Sequence, residues 1–187
     1  SSNGPEISSL VYGTWRMLDD DSSIQDINAR LNRCVELGIT TIDTAEIYGL
    51  YEVEEALGKA LALSPGLRDR IEIVTKAGIY VPNARHPDRK VAFYNASAPR
   101  LVKSLEKSLR LIGTDRIDLF LVHRPDWLTS IDDTAGGLNQ LLSDGKIRSA
   151  GVSNYTASQF STLNSRMEQP LATNQLEFHL VKMAYLA

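Results

Sequence analysis

The stretch TTIDTAEIYG, residues 40–49, opens as a buried strand and then departs from that pattern. Two threonines and an isoleucine lead straight to a carboxylate, Asp43, and five residues later Tyr48 stands before Gly49. β-Branched residues suit a pleated, covered surface, so a strand over 39–43 ends on a charge with a phenol close behind it. Five more short runs have the same strand character: 10–13, 71–76, 117–123, 147–152 and 172–178. Most are continuously apolar or β-branched rather than alternating, as strands covered on both faces are.

Amphipathic stretches fill the intervals. Ser22 or Ser23 caps the first, with Ile24, Ile27 and Leu31 on one face and Gly38 as the stop. Val53, Ala56, Leu57, Ala60 and Leu61 mark the second. Ser97 and Pro99 open the third, with Leu101, Leu105, Leu109 and Ile112 at helical spacing. A fourth over 131–144 is weakened by Gly136 and Gly137, and Thr156 caps a fifth carrying Phe160 and Leu163. Strand then helix, repeated, predicts a parallel sheet with helices outside, either doubly wound or a (β/α) barrel. The connection over 77–96 reads as one long loop, a length that is usually functional or disordered.

Every strand ends on polar residues. The first runs into Thr14 and Trp15, the second ends at Asp43, the third at Lys76 and the fourth at His123. The fifth runs into Ser153 and Asn154, and the sixth carries Asn174, Gln175 and Glu177. Taken singly, each has a plain reading as a solvated strand terminus, a turn pair or a half-buried histidine. In a parallel barrel, however, all C-terminal strand ends meet at one rim, where active sites lie.

The residue types at that rim suit proton delivery to a carbonyl. A phenol titrates near 10, high for a proton donor at neutral pH. A lysine cation about 4 Å away favours the phenolate by roughly 4 kcal/mol at an effective dielectric of about 20. Burial works against the lysine charge, and an adjacent aspartate restores it. Asp43, Lys76 and Tyr48 thus form a chain in which anion holds cation and cation acidifies phenol, with His123 placed to orient a substrate oxygen.

Composition narrows the classes. The 187 residues carry a net charge of −3, so no nucleic-acid or anionic-membrane surface is indicated. Apolar runs fall short of the roughly 20 residues of a membrane span, and no secretory leader pattern opens the chain. The chain starts at Ser1 rather than Met, which predicts a processed or trimmed start. The single cysteine, Cys34, excludes an internal disulfide framework and fits a cytoplasmic setting. His86, His123 and His179 are too dispersed for a metal site, and no GxGxxG, Walker, HExxH, CxxC or GxSxG pattern occurs.

GTW at 13–15, GITTIDTAEIYG at 38–49, IVTKAG at 73–78, DLFLVHRPD at 118–126, GKIRSAGVSNY at 145–155 and TNQLEF at 173–178 together resemble the aldo-keto reductase superfamily, in its short-loop bacterial, YdhF-like form. The resemblance covers nearly the whole chain. It implies NADPH-dependent reduction of aldehydes or ketones, or the reverse oxidation. Tyr48 would be the general acid, Lys76 and Asp43 its tuning pair, and His123 the carbonyl-orienting group. Thr14, Trp15, Asp43, Ser153, Asn154 and Gln175 would contact the cofactor. Trp15, Tyr48, His123, Trp127 and the 77–96 loop would shape the pocket for a small carbonyl substrate.

The resemblance also implies a (β/α)8 barrel, which typically takes about 250 residues. The expectation is therefore a loose tail over 1–6 and one barrel domain over 7–187 holding six of eight units and stopping within a sixth helix. The last two strands, an aromatic for the nicotinamide and a basic segment for the adenosine phosphates lie outside it, so these residues alone are expected to bind NADPH poorly. NADP rather than NAD rests on the resemblance, and the oligomeric state is not legible. Two other readings compete. One is a barrel aldolase with Lys76 as its Schiff-base amine, which requires a neutral lysine that Asp43 disfavours. The other is a non-catalytic nucleotide-binding subunit of the same fold.

Overall fold

The computed structural model describes residues 4–84, 87 and 90–180. Strand β1 (Val11–Gly13) leads to helix α1 (Ile24–Glu36) and strand β2 (Thr41–Asp43). A 3-10 turn (Tyr48–Tyr51) and helix α2 (Val53–Ala62) precede β3 (Glu72–Ala77). A hairpin of β4 (Ile79–Tyr80) and β5 (Phe93–Tyr94) then leads to helix α3 (Ala98–Ile112) and β6 (Ile117–Val122). Helix α4 (Ile131–Ser143), β7 (Ile147–Ser153), α5 (Ala157–Asn164) and β8 (Asn174–Gln175) complete the described elements.

The main sheet is parallel throughout and runs β1-β2-β3-β6-β7-β8. Its strands follow chain order with no reversal, so the sheet is singly wound, and of the two expected architectures the barrel is the one formed. The six strands make an arc of a (β/α)8-type wall.

The two-residue period of a strand sorts the side chains. Ile42, Ile73, Phe120 and Val122 face the helices, in the main core with Ile27, Leu57, Leu101 and Leu138. Val74, Leu119 and Leu121 form a second, small cluster on the other face. Lys76 is in phase with Val74, and His123 with Leu119 and Leu121. The inner face is therefore apolar at its middle and turns polar at its C-terminal end.

The expected caps are in place. Ser23 forms a capping box with Asp26 at α1, and Thr156 forms one with Gln159 at α5. Pro99 lies in the first turn of α3, which Gly113 ends in the left-handed conformation at φ +74°. Helix α4 runs unbroken through Gly136 and Gly137. Gly137 is needed there, because a Cβ on it would stand 2.7 Å from Ala98 Cα at the start of α3.

Several expectations need correction. The 77–96 stretch is not one loop. Ala77 extends β3, and the hairpin follows, held by Tyr80 stacked on Phe93 with ring centroids 4.4 Å apart. The sixth strand, expected over 172–178, pairs among the described residues at Asn174 and Gln175, against β7. The second begins at Thr41, next to a contact in which the Ser8 hydroxyl accepts the backbone N–H groups of Thr40 and Thr41. The fourth ends at Val122, although the His123 N–H still donates to Ala77 O at 2.8 Å. The sixth helix, the first half of the tail, and His86, Arg85 and Arg89 fall outside the described residues.

Candidate active site

Lys76 is the centre of the rim. Its side chain is 1% exposed, and its Nζ donates to three oxygens: Asp43 Oδ1 at 2.5 Å, Thr44 O at 2.9 Å and Tyr48 Oη at 3.2 Å. An ammonium has three donors and no acceptor, so every proton on Nζ has a partner. The other carboxylate oxygen of Asp43 accepts from Gln175 Nε2 at 2.8 Å, a bond that ties the last strand of the arc to the second.

The backbone after β2 brings Tyr48 back over Lys76. Glu46 N donates to Lys76 O at 3.0 Å, and Tyr48 N donates to Ala45 O at 3.1 Å. The chain then makes a tight turn with φ of +54° at Gly49, +52° at Leu50 and +76° at Tyr51. Left-handed backbone costs roughly 1–2 kcal/mol at a residue with a side chain. Burial of Tyr51 and a hydrogen bond from Val81 N to its hydroxyl at 3.0 Å hold the turn in place. The Tyr48 phenol is thereby fixed beside Nζ.

His123 meets the Tyr48 ring edge-on, with centroids 6.0 Å apart and planes at 74°. Burial first, then the charges of Lys76 and Arg124, pull its pKa from 6.5 down to about 3. Its imidazole is accordingly neutral at working pH. Nδ1 of His123 is buried without a hydrogen-bond partner. Trp15, 67% exposed, lies nearly parallel to the phenol at 6.3 Å.

Ser153 and Asn154 stand at the end of β7. Asn154 takes a left-handed φ of +62° and donates from Nδ2 to Ser153 Oγ at 2.8 Å, while Ser153 Oγ donates to Gln175 O at 3.0 Å. Asp43, Tyr48, His123, Trp15, Ser153, Asn154 and Gln175 all line one cavity of about 520 Å³. Lys76 lies under its floor.

Two expected members lie elsewhere. Thr14 is fully buried, and both its N–H and its hydroxyl donate to Asp43 O, at 2.9 and 3.0 Å. It braces the end of β2 instead of lining the cavity. Trp127 lines a separate cavity with Tyr155, Thr134 and Gln159. The turn around it is tied down by Asp126, which accepts from Ala96 N and Leu128 N. Conversely, Arg124, Leu176 and Glu177 line the main cavity. Of these, Glu177 is among the polar residues of the expected sixth strand, whereas Arg124 and Leu176 carry no expected role, although Arg124 directly follows His123 at the rim.

Among the described residues no cluster of three potential metal ligands occurs, and no helix is long and apolar enough to cross a membrane. The described side chains fit the nicotinamide end of a dinucleotide. The cavity has room for a flat ring, and the side chains of Ser153, Asn154 and Gln175 in its lining carry the donor and acceptor types that pair with a carboxamide.

Comparison with known proteins identifies the family. A family model, "Aldo/keto reductase family", matches residues 9–185. A 6-dehydroglucose reductase of Agrobacterium fabrum is 46% identical over 177 residues, covering 94% of this chain and 60% of that protein. Oxidoreductase YdhF of Escherichia coli is 43% identical over 183 residues, covering 98% and 61%. Among solved structures, a glycerol dehydrogenase from Gluconobacter oxydans superposes with a TM-score of 0.76 at 33% identity, over 97% of this chain and 57% of that one. An aldo/keto reductase from Klebsiella pneumoniae in complex with NADP and acetate gives 0.72 at 31%, over 96% and 56%. The chain thus spans about 60% of the length of the curated relatives it matches. With the family model spanning nearly all of its residues, the chain belongs to the aldo/keto reductase family.

Proposed function

We propose that the chain carries the proton-delivering half of a nicotinamide-dependent carbonyl reductase acting on small aldehydes or ketones. The observation that carries this reading is the saturated Lys76 ammonium, held against Asp43 and donating to the Tyr48 phenol oxygen at 3.2 Å.

A carbonyl oxygen bound in the cavity takes the phenol proton of Tyr48 as the alcohol forms. The phenolate left behind gains a full negative charge, which the Lys76 cation is already positioned to stabilise. His123, neutral, donates a ring N–H to the same oxygen and fixes its direction without adding a competing charge. Asp43 keeps Lys76 positive, and Gln175 keeps Asp43 in place. Ser153, Asn154 and Gln175 would hold a reduced nicotinamide, which would supply the hydride. NADP as the form used is supported by the NADP complex of the Klebsiella relative. A cytoplasmic setting is supported by the lone cysteine.

The same saturation argues against the aldolase reading, since a Schiff-base lysine needs a free lone pair on Nζ. The test is loss of NADPH absorbance with a panel of aldehydes, comparing the full-length protein, with the cofactor-gripping end present, and its Tyr48→Phe variant. The variant should lose about 10²–10⁴ in kcat and retain cofactor binding by fluorescence titration. Equal turnover in Tyr48→Phe, or borohydride trapping of a substrate on Lys76, overturns the reading.

A further inference from the structure

Helix α3 presents four cations along one face. Arg100, Lys103, Lys107 and Arg110 recur at intervals of three and four, which aligns them in a stripe about 15 Å long. With Tyr51, Tyr80 and Glu46 they line a cavity of about 240 Å³ between α3, the turn after Tyr48 and the β4–β5 hairpin. This cavity shares no lining residue with the candidate active site.

Four cations face a single carboxylate there, in a chain whose net charge is −3. That carboxylate is already engaged: Glu46 Oε1 accepts from Arg100 Nη2 at 2.7 Å and from Gly78 N at 3.1 Å. Lys103, Lys107 and Arg110 make no ion pair among the described residues. Aromatic rings support two of the cations, the Arg100 guanidinium lying 4.0 Å from the Tyr80 centroid and Lys107 Nζ 5.0 Å from that of Tyr51. Nε of Arg100 is buried without a hydrogen-bond partner. Both ends of the Arg100 fork are engaged, Nη2 by Glu46 and Nη1 by the Ser104 hydroxyl, so the donors left for a ligand are the Lys103 and Lys107 ammonium groups and the Arg110 guanidinium, a set that suits a phosphate.

We propose that this cleft is a second ligand site, taking a small phosphate-bearing anion on the outer side of the barrel wall. Its concavity and volume suit one or two phosphate groups, whereas a nucleic acid needs a longer open track. The anion lies beside the Arg100–Glu46 pair, and Glu46 ties the Tyr48 turn to Gly78.

Isothermal titration with orthophosphate, diphosphate and glycerol phosphate, ionic strength matched with chloride, tests the site without reference to turnover. Saturable binding is expected, with the Lys103→Ala/Lys107→Ala variant weakened tenfold or more. An Arg33→Ala/Arg166→Ala variant, changed on other surfaces, should bind as the parent does. If the first variant fails to fold, Lys103→Ala/Arg110→Ala, both exposed, serves in its place. Preference among the three ligands separates a free phosphate site from a metabolite site. No saturation over chloride, unchanged binding in the α3 variant, equal loss in the control variant, or binding of an oligonucleotide but of none of the phosphates overturns the proposal.

Discussion

Lys76 Nζ lies 2.5 Å from Asp43 Oδ1, in a site where the lysine side chain is 1% exposed. A charge so placed depends on its partner, because removing one member of a buried pair leaves the other uncompensated. Asp43→Asn should therefore destabilise the protein by about 3–5 kcal/mol, read as a lower urea midpoint. Lys76→Met added to Asp43→Asn should recover much of that loss. An additive double variant would show that the pair is not coupled.

His123 should stay neutral across the physiological range. Its pKa is pushed to about 3 by burial, with Lys76 and Arg124 adding to the effect. A depressed histidine contributes stability that is present above its unfolded value near 6.5 and is lost as pH falls toward 3. Imidazole proton resonances of His123 should show no midpoint between about pH 5 and 8. The pH–rate profile should likewise lack a limb near 6.5. A midpoint near 6.5 would mean that the ring is not shielded as its surroundings indicate.

Glu54, at the start of α2, should make stability fall as pH rises. It is buried, accepts from Thr75 Oγ1 at 2.7 Å and Ser108 Oγ at 2.9 Å, and burial raises its pKa from 4.5 to about 7. The folded state holds this proton longer than the unfolded one. Its contribution is complete below pH 4.5 and disappears as pH climbs through about 7, a loss of roughly 3 kcal/mol. Glu54→Gln should flatten the pH dependence of the melting temperature over that window relative to the parent. Parallel curves for the two proteins would refute it.

The rim was legible in the sequence because each of its residues sits where a strand becomes a loop, and strand ends are local features. Asp43, Lys76 and His123 share the inner face simply by period-two phase with their own strands. What the sequence hid was direction beyond the strand. Thr14 follows Gly13 at the rim yet turns inward to Asp43 O, and Trp127 lines a separate cavity, in a turn tied down by Asp126. The β4–β5 hairpin was hidden because two-residue strands are too short to show alternation, and Gly78 and Pro82 read as loop. Glu46 and Arg100 are 54 residues apart in the chain, so no local pattern announced their pairing.

Adjacent glycines in α4 should respond in opposite directions to the same substitution. A Cβ on Gly136 meets nothing within 4 Å, so Gly136→Ala gains helix propensity alone, about 0.5–1 kcal/mol of stability. On Gly137 the added Cβ would stand 2.7 Å from Ala98 Cα and 3.0 Å from Ala98 Cβ. Backbone at that distance must move, and α4 is bound to the start of α3 by Thr134 Oγ1 to Ala96 O and by Ala98 N to Asp133 Oδ2. Gly137→Ala should consequently lose about 1–3 kcal/mol through overpacking, in excess of its propensity gain. Thermal denaturation of the two variants decides the matter. A stabilised Gly137→Ala would mean that α3 and α4 are not in the close contact that fixes the entry to α3.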